Sequence, residues 1–338
     1  MHGWRGTLDD EPKQGDGPWD ALVDEVHKAS DSRVILSHEY FAELPDDRVR
    51  KFVADLDRPV HVVFTLRNQA ALLSSSWQQT LKGGQRRTFP AWLRESLGEG
   101  SSKGRLGRLW RRLQLADLVE KWAEVVGPEN ITIVVVDKSD RQRLYRTFEQ
   151  LLDLPEGLLP EDGDGQTSNR SMSAVEAAFF RRVNESMAET DERSRDLFIK
   201  LYRRGAINRV LAERTPAADE ARLLPPQWAV DRVVKLTQRQ VERIRKLPVN
   251  VVGVLDVLST PVSADPHDEP AEVTEVPIDL AAMVTSGMLE AAYGVEKERQ
   301  ETSRARKVKK ALKSVKPAAV RPTDSVSRLK GAMGRKPR

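Results

Sequence analysis

The sequence has no cysteine among its 338 residues, which excludes disulfides, thiolate metal sites and cysteine nucleophiles together. No apolar stretch reaches the roughly 18 residues that a membrane-spanning helix needs. The opening residues, MHGWRGTLDDEPKQGDG, are acidic and polar, so no basic region followed by an apolar one marks a secretory signal. These absences predict a soluble, cytoplasmic protein without a transmembrane segment.

Charge is nearly balanced overall but unevenly distributed along the chain. Lys and Arg total 55 against 51 acids, a net charge of +4. Residues 301–338 hold thirteen Lys or Arg and only two acids, so the preceding body is net acidic. We expect a solvated, mobile basic tail, whose weak electrostatic contacts with anionic lipid or nucleic acid would be weakened by salt. The tail has no aromatic residues, which argues against sequence-specific RNA binding.

Hydrophobic periodicity predicts an α/β fold. The β-branched run Ile131–Val136 is typical of a strand buried on both faces, and shorter apolar runs at 33–36 and 62–64 predict two more strands. Helical spacing of apolar residues fills the intervals, including one long helix from about 106 to 126 and another over about 139–153. Alternating strands and helices predict a parallel sheet flanked by helices.

Composition divides the chain into four parts. Residues 1–17 are rich in Gly, Asp and Pro and are predicted to be disordered. The α/β domain is predicted over 18–260, with 155–248 mainly helical. A stretch rich in Pro, acid and Ser at 261–278 is typical of a linker. A C-terminal helix and the basic tail make up 279–338.

The sequence is organised around HVVFTLRNQAALLSSSW, residues 61–77. Its apolar strand delivers Arg67 at the change to a helical pattern, and Ser75 follows eight positions later. Open α/β sheets bind ligands at the carboxyl ends of their strands, where helix N-termini offer free N–H groups to anions. The pattern predicts a phosphate site. The alternative is a strand-end arginine paired with a helix carboxylate.

The stretch VVFTLRNQAALLSSSWQQTLK resembles the motif of sulfotransferases that use 3′-phosphoadenosine-5′-phosphosulfate. In that family an arginine ending a strand and a serine eight residues on hold the 3′-phosphate of the cofactor. The resemblance places Arg67 and Ser75 in these roles, with Ser74 as a neighbour that could substitute. Gln69 stands where the family often has proline. The implied fold is the P-loop NTPase-like fold of sulfotransferases.

The resemblance lacks one expected part, the loop that binds the 5′-phosphosulfate. The family carries it after the first strand, as Lys-x-Gly-Thr-Thr or Lys-x-Gly-Ser-Ser. The most similar stretch in this sequence is GEGSSKGR, residues 98–105, but its lysine follows its serines. We therefore interpret it as a surface loop. The chain therefore resembles a sulfotransferase that begins one βα unit late. Either the recorded start lies downstream of the true one, which we favour, or the catalytic loop has been lost.

Two further segments carry candidate site residues. Related sulfotransferases place their general base in a stretch comparable to SHEYF, which makes Glu39 the first candidate and His38 the second. A carboxylate that caps a helix is the alternative for Glu39. NRSMS resembles an Asn-x-Ser-Leu segment of bacterial sulfotransferase-like proteins, which makes Asn169 and Arg170 candidate cofactor ligands. A plain helix cap at Ser171 would give the same pattern.

The sequence thus predicts sulfuryl transfer from 3′-phosphoadenosine-5′-phosphosulfate to a hydroxyl or amine of a carbohydrate, lipid or small metabolite. The alternative is a non-catalytic binding or scaffold protein on the same fold. A nucleotide kinase fits less well, because the sequence has neither a Walker-type lysine loop nor a clear acidic strand end for Mg²⁺. The histidines lack metal-ligand spacing, so we predict no metal site.

Overall fold

The protein is an α/β structure with a small parallel sheet and many helices. The computed structural model describes residues 17–98, 107–137, 139–140, 142–159, 170–188, 195–269 and 272–314. The strands are β1 (Val62–Arg67), β2 (Ile131–Val136) and β3 (Asn250–Val252). The helices are α1 (Gly17–Lys28), α2 (Asp46–Leu56), α3 (Leu72–Leu81), α4 (Phe89–Ser96), α5 (Gly107–Leu113), α6 (Leu115–Val126), α7 (Gln142–Leu152), α8 (Ala174–Ala188), α9 (Arg195–Leu197), α10 (Arg209–Glu213), α11 (Gln227–Ile244) and α12 (Ile278–Ser314).

The chain divides into two compact units, Met1–Leu289 and Glu290–Arg338, and the sheet lies in the first. Short 3₁₀ turns at Phe41–Glu43, Pro128–Asn130 and Leu255–Ser259 connect elements of the first unit, and π-helical turns at Phe198–Asn208 join α9 to α10. Three segments predicted from sequence lie outside the described residues. They are the disordered N-terminus apart from Gly17, the 98–105 loop apart from Gly98, and the basic tail from residue 315 onward.

The three strands run parallel in the order β1-β2-β3. The apolar run predicted as a strand buried on both faces is confirmed, since Ile131 to Val135 are all essentially inaccessible to solvent. β1 pairs with β2 over its whole length, from Val62 opposite Ile131 to Arg67 opposite Val136. The carboxyl end of β1 is thereby fixed beside that of β2.

Helices cover both faces of the sheet. On one face, alternate residues of β1 and β2 such as Phe64, Leu66 and Ile133 pack with α2, α6 and α11 in one apolar cluster. Helix α7 also contacts β2, but none of its side chains belongs to that cluster, so α7 covers the opposite face. A second apolar cluster joins α3, α4 and α5 to α8, α11, the π-helical turns and the start of α12.

Two sequence predictions about secondary structure are wrong. Residues 33–36 have no regular secondary structure and pair with no strand of the described chain. The predicted long helix is broken at Gln114 into α5 and α6. The break is held by Gln240 of α11, whose side chain accepts from the amide of Ala116 at 3.0 Å and donates to Gln114 at 3.1 Å.

Helix α12 crosses the π-helical turns at Gly287. A Cβ atom on Gly287 would collide with the backbone carbonyl of Gly205, so the two backbones are in direct contact. Seven residues further along the same helix, Gly294 has no atom within 4 Å of the corresponding position. The helix thus contains one glycine required by packing and one in open space.

We expect alanine at these two positions to change stability in opposite directions. Gly287→Ala should lower the free energy of unfolding by about 1–3 kcal/mol, because backbone must move to admit the methyl group. Gly294→Ala should raise it by up to about 1 kcal/mol through helix propensity alone. Urea unfolding of both variants measures the difference, and a Gly287→Ala protein at least as stable as the wild type would contradict the close crossing.

Candidate functional site

A concave site lies beside the free edge of β1, and we call it the edge cleft. It has a volume of about 1030 Å³. One wall is β1 with the residues just before it, and the other is the extended segment 33–39. Side chains of α2, α6 and α7 close it above and below. Arg67, His38 and Glu39, three of the residues predicted from sequence, all line this one cleft.

The extended segment runs in the same direction as β1. At its start, the Arg58 guanidinium donates to backbone carbonyls including those of Ala29 at 3.0 Å and Ser32 at 2.9 Å, and Arg58 lies just before β1. At its end, Glu39 lies near Arg112, which precedes α6. Because α6 leads back to the start of β2, its own beginning lies at the carboxyl edge of the sheet. Glu39 and Arg67 therefore lie toward the same edge, where α/β proteins bind ligands.

Arg67 ends β1 with an exposed side chain. Within the described chain, no hydrogen bond or ion pair engages its guanidinium, so the alternative of pairing with a helix carboxylate receives no support there. The turn after it is rigidly held. Asn68 donates to the carbonyls of Val257 at 3.0 Å and Thr260 at 2.7 Å, and the buried Gln69 donates to the carbonyl of Arg67 at 2.6 Å.

The start of α3 is not an open anion site in this conformation. The amide of Ala71 donates to the side chain of Asn68 at 3.0 Å, and those of Leu72 and Leu73 donate to turn carbonyls. The expectation that this helix N-terminus offers several free N–H groups is therefore wrong for these three amides. An anion at this edge would depend on side chains, above all on Arg67.

The two predicted serines lie on α3, outside the lining of the edge cleft. The Ser75 hydroxyl donates to the carbonyl of Leu72 at 3.1 Å, within its own helix. The Ser74 hydroxyl donates to the carbonyl of Leu223 at 3.2 Å. Each hydroxyl proton would have to turn away from its carbonyl before either serine could donate to a phosphate. Arg67 needs no such rearrangement.

The two candidate bases lie at the end of the extended segment. The Glu39 side chain is 69% exposed, and its Oε2 lies 3.9 Å from Nη2 of Arg112. His38 accepts a hydrogen bond at Nδ1 from the amide of Tyr40, at 3.2 Å, which leaves Nε2 to face other groups. Either side chain can reach solvent, as a base that meets an incoming acceptor must.

Arg112 is a site residue that the sequence reasoning missed. Its Nε donates to Glu43 at 2.6 Å, its guanidinium lies 5.7 Å from the centre of the Tyr40 ring, and its side chain lines the edge cleft. It lies toward the edge that carries Arg67, but its charge is compensated by Glu43 and Glu39. The only sequence signal is the arginine content of α5, which also contains Arg108 and Arg111 and does not show what that helix faces.

Arg170 has a structural role instead of the predicted ligand role. All five of its N–H groups are used, in a bidentate pair with Glu176 at 2.7 Å for each bond and in bonds to three backbone carbonyls. It has no donor left for a phosphate, and it does not line the edge cleft. Asn169, predicted with it, lies outside the described residues.

The partner of Arg170 belongs to a larger buried ion cluster centred on Arg214. The Arg214 guanidinium, 3% exposed, donates to Glu176 at 2.9 Å, Glu220 at 2.7 Å and Asp279 at 2.8 Å. These contacts tie α8 and the loop after α10 to the first turn of α12. Removing the arginine would leave the buried carboxylates of Glu176 and Glu220 with too little compensating charge.

We expect Arg214→Met to lower the free energy of unfolding by about 3–5 kcal/mol, because buried carboxylates lose their partner. The matched control is Arg243→Met. Arg243 also bridges two carboxylates, Asp117 and Glu120, each at 2.6 Å, but its side chain is 42% exposed. Solvent screening should limit that loss to about 1 kcal/mol or less. Urea unfolding at neutral pH compares the two, and equal losses would contradict the assigned burial.

The same cluster predicts a pH dependence of stability. Hydrogen bonds from Arg214 hold the pKa of Glu220 below its usual value, and the pKa of Asp279 is lowered in the same way. The unfolded chain therefore takes up protons first as the pH falls, and the folded state loses stability below about pH 4.5. Glu220→Gln should flatten this acid limb of the stability curve, measured by urea unfolding from pH 7 to pH 3. An unchanged slope would show that Glu220 is not part of the linkage.

Comparison of the chain with protein-family models, with curated proteins and with solved structures finds no match. Within the described residues, no group of three or more His, Cys, Asp or Glu side chains could hold a metal ion. In the same part of the chain, no helix is both long enough and apolar enough to span a membrane. Hypotheses about activity therefore depend on the geometry at the carboxyl edge of the sheet and on the sequence resemblance.

Proposed function

We propose that this protein is a sulfotransferase-like protein that binds 3′-phosphoadenosine-5′-phosphosulfate and transfers its sulfuryl group to a hydroxyl or amine. Its fold would be that of the P-loop NTPase-like sulfotransferases, and the cytoplasm is its proposed location. The observation that carries the proposal is Arg67, an exposed guanidinium at the end of a parallel strand with no partner among the described residues. The resemblance predicts a phosphate-binding arginine at that residue.

In the proposed mechanism Arg67 binds the 3′-phosphate of the donor. A guanidinium can form two parallel charge-assisted hydrogen bonds to phosphate, which fixes the orientation of the nucleotide as well as its affinity. Ser75, or its neighbour Ser74, would add a hydroxyl after turning from the carbonyl that it now contacts. Neither Asn169 nor Arg170 is needed for this step.

The transfer itself requires a base and an acceptor held in line with the donor. Glu39, with His38 as the second candidate, would take the proton of the acceptor hydroxyl. As the acceptor oxygen bonds to sulfur, the bond between sulfur and the 5′-phosphate oxygen breaks, and adenosine 3′,5′-bisphosphate leaves with its charge. Arg112 beside Glu39 would keep the carboxylate in place. Carbohydrates, lipids and small metabolites all remain candidate acceptors.

The main alternative is a non-catalytic binding or scaffold protein on the same fold. Two observations favour it: the sequence shows no 5′-phosphosulfate loop, and the first amides of α3 are already hydrogen bonded within their own turn. Binding and catalysis should therefore be tested separately. Release of adenosine 3′,5′-bisphosphate from the donor, compared between wild type and Glu39→Gln, tests the catalytic part.

Calorimetry with two nucleotides tests the 3′-phosphate assignment. We expect wild-type protein to bind adenosine 3′,5′-bisphosphate more tightly than adenosine 5′-monophosphate. Arg67→Ala should weaken binding of the bisphosphate about 10- to 100-fold, since a charge-assisted hydrogen bond contributes about 1.5–3 kcal/mol. The same substitution should leave binding of the monophosphate nearly unchanged, because that ligand has no 3′-phosphate.

The matched control is Arg239→Ala, which removes an exposed arginine of α11 that does not line the edge cleft. It should leave both affinities unchanged, which separates a specific contact from a general loss of positive charge. Two results would overturn the proposal: a folded wild type that binds neither nucleotide, or an equal loss for both nucleotides on removing Arg67.

A further inference from the structure

Both long walls of the edge cleft have backbone edges that pair with no strand in the part of the chain that the structure describes. β1 pairs with β2 on one side, and on its other side it pairs with no strand of the described chain. Across the cleft, the amides and carbonyls of residues 33–37 form no hydrogen bond within the described residues. Backbone N–H and C=O groups are obligatory hydrogen-bonding groups, so two such edges facing one cleft are complementary to another strand.

The upper and lower walls of the edge cleft are apolar helix faces. Phe148 and Leu151 of α7 line it from one layer, and Phe52 and Leu118 line it from the other. All four side chains are only partly buried. A strand in a parallel sheet is covered by helices on both faces. The cleft therefore has the surroundings of an interior strand position.

The volume and the charge of the edge cleft restrict the class of molecule that could bind there. The volume of about 1030 Å³ is at the upper limit of ordinary small-ligand pockets. β1 has six residues, and a parallel strand of that length spans about 20 Å. The extended segment exposes Ile35, which is 61% accessible, and Val34, which is 38% accessible. At the carboxyl end lies Arg67, whose charge has no partner among the described residues and favours an acidic residue after the strand.

We propose that the edge cleft binds an apolar β-strand from a partner polypeptide, inserted parallel to β1. The strand would pair with β1 on one side and with residues 33–37 on the other. One of its faces would contact α7, and the other would contact α2 and α6. Its preferred sequence would be a continuous Val, Ile or Leu run of about five or six residues followed by Asp or Glu. This proposal does not depend on the proposed sulfotransferase function. The strand would fill the body of the cleft and leave Glu39 at its carboxyl end.

A panel of synthetic peptides tests strand insertion. Each has about five core residues drawn from Val, Ile and Leu, two lysines before the core for solubility and an aspartate after it. We expect members of the panel to bind the full chain, measured by fluorescence anisotropy. Bound peptide should also slow hydrogen exchange of the amides of residues 62–67, because those on the free edge of β1 gain carbonyl partners.

Two matched controls separate a strand from other occupants. N-methylation of alternate peptide amides removes donors but keeps apolar surface, so it should abolish binding. Ile35→Asp places a charge on an exposed wall of the cleft and should weaken binding at least tenfold, whereas Leu289→Asp, on an exposed position of α12 outside the cleft, should have no effect.

Three outcomes would overturn the proposal. If no peptide of the panel binds, the cleft is not a strand site. If N-methylated peptides bind as well as the unmodified peptides, binding does not depend on backbone hydrogen bonds, and the cleft is a general apolar site such as a lipid site. If the free chain is a dimer by analytical ultracentrifugation and Ile35→Asp dissociates it, the occupant is a second copy of the chain.

Discussion

The parallel pairing of β1 with β2 is the constraint on which the site depends. It runs without a break for six residues and sets Arg67 opposite Val136 at the carboxyl edge. Side chains alternate between faces along a strand, so a shift of one residue would exchange Phe64 and Leu66 with their neighbours and expose the cluster beneath α6. Burial of that cluster therefore fixes the register, and the register fixes where the guanidinium of Arg67 emerges.

The parts of the fold that can be predicted from sequence are those whose structure depends only on the residues of one segment. Residues 131–136 form a strand as predicted, because a continuous run of β-branched residues is suited to burial on both faces and to little else. The run at 33–36 has similar composition but is not a strand, because strand formation needs a neighbour and β1 lies across a cleft. The break at Gln114 depends on Gln240, more than a hundred residues away, and no local pattern reveals it.

The same distinction applies to the candidate site. The change from an apolar strand pattern to a helical pattern predicts that Arg67 ends a strand, and β1 ends at that residue. Arg170 has an equally polar local context, but its donors are used by Glu176 and by carbonyls of a distant turn. Arg112 was missed because its importance comes from its proximity to Glu39, a contact between segments far apart in the chain. Whether an arginine can bind an anion depends on whether carboxylates already pair with it. Tertiary packing determines which carboxylates lie near each arginine.

The free edge of β1 brings the proposed anion site and the proposed strand site together. Along this edge the backbone groups of β1 have no strand partner within the described residues, and those of residues 33–37 across the edge cleft form no hydrogen bond there. A parallel strand placed in the cleft would end beside Arg67 and Glu39. An acidic residue after that strand would pair with Arg67, the guanidinium that is proposed to bind the 3′-phosphate. Strand binding and nucleotide binding would therefore compete, because a guanidinium that already pairs with a carboxylate has fewer donors left for a phosphate.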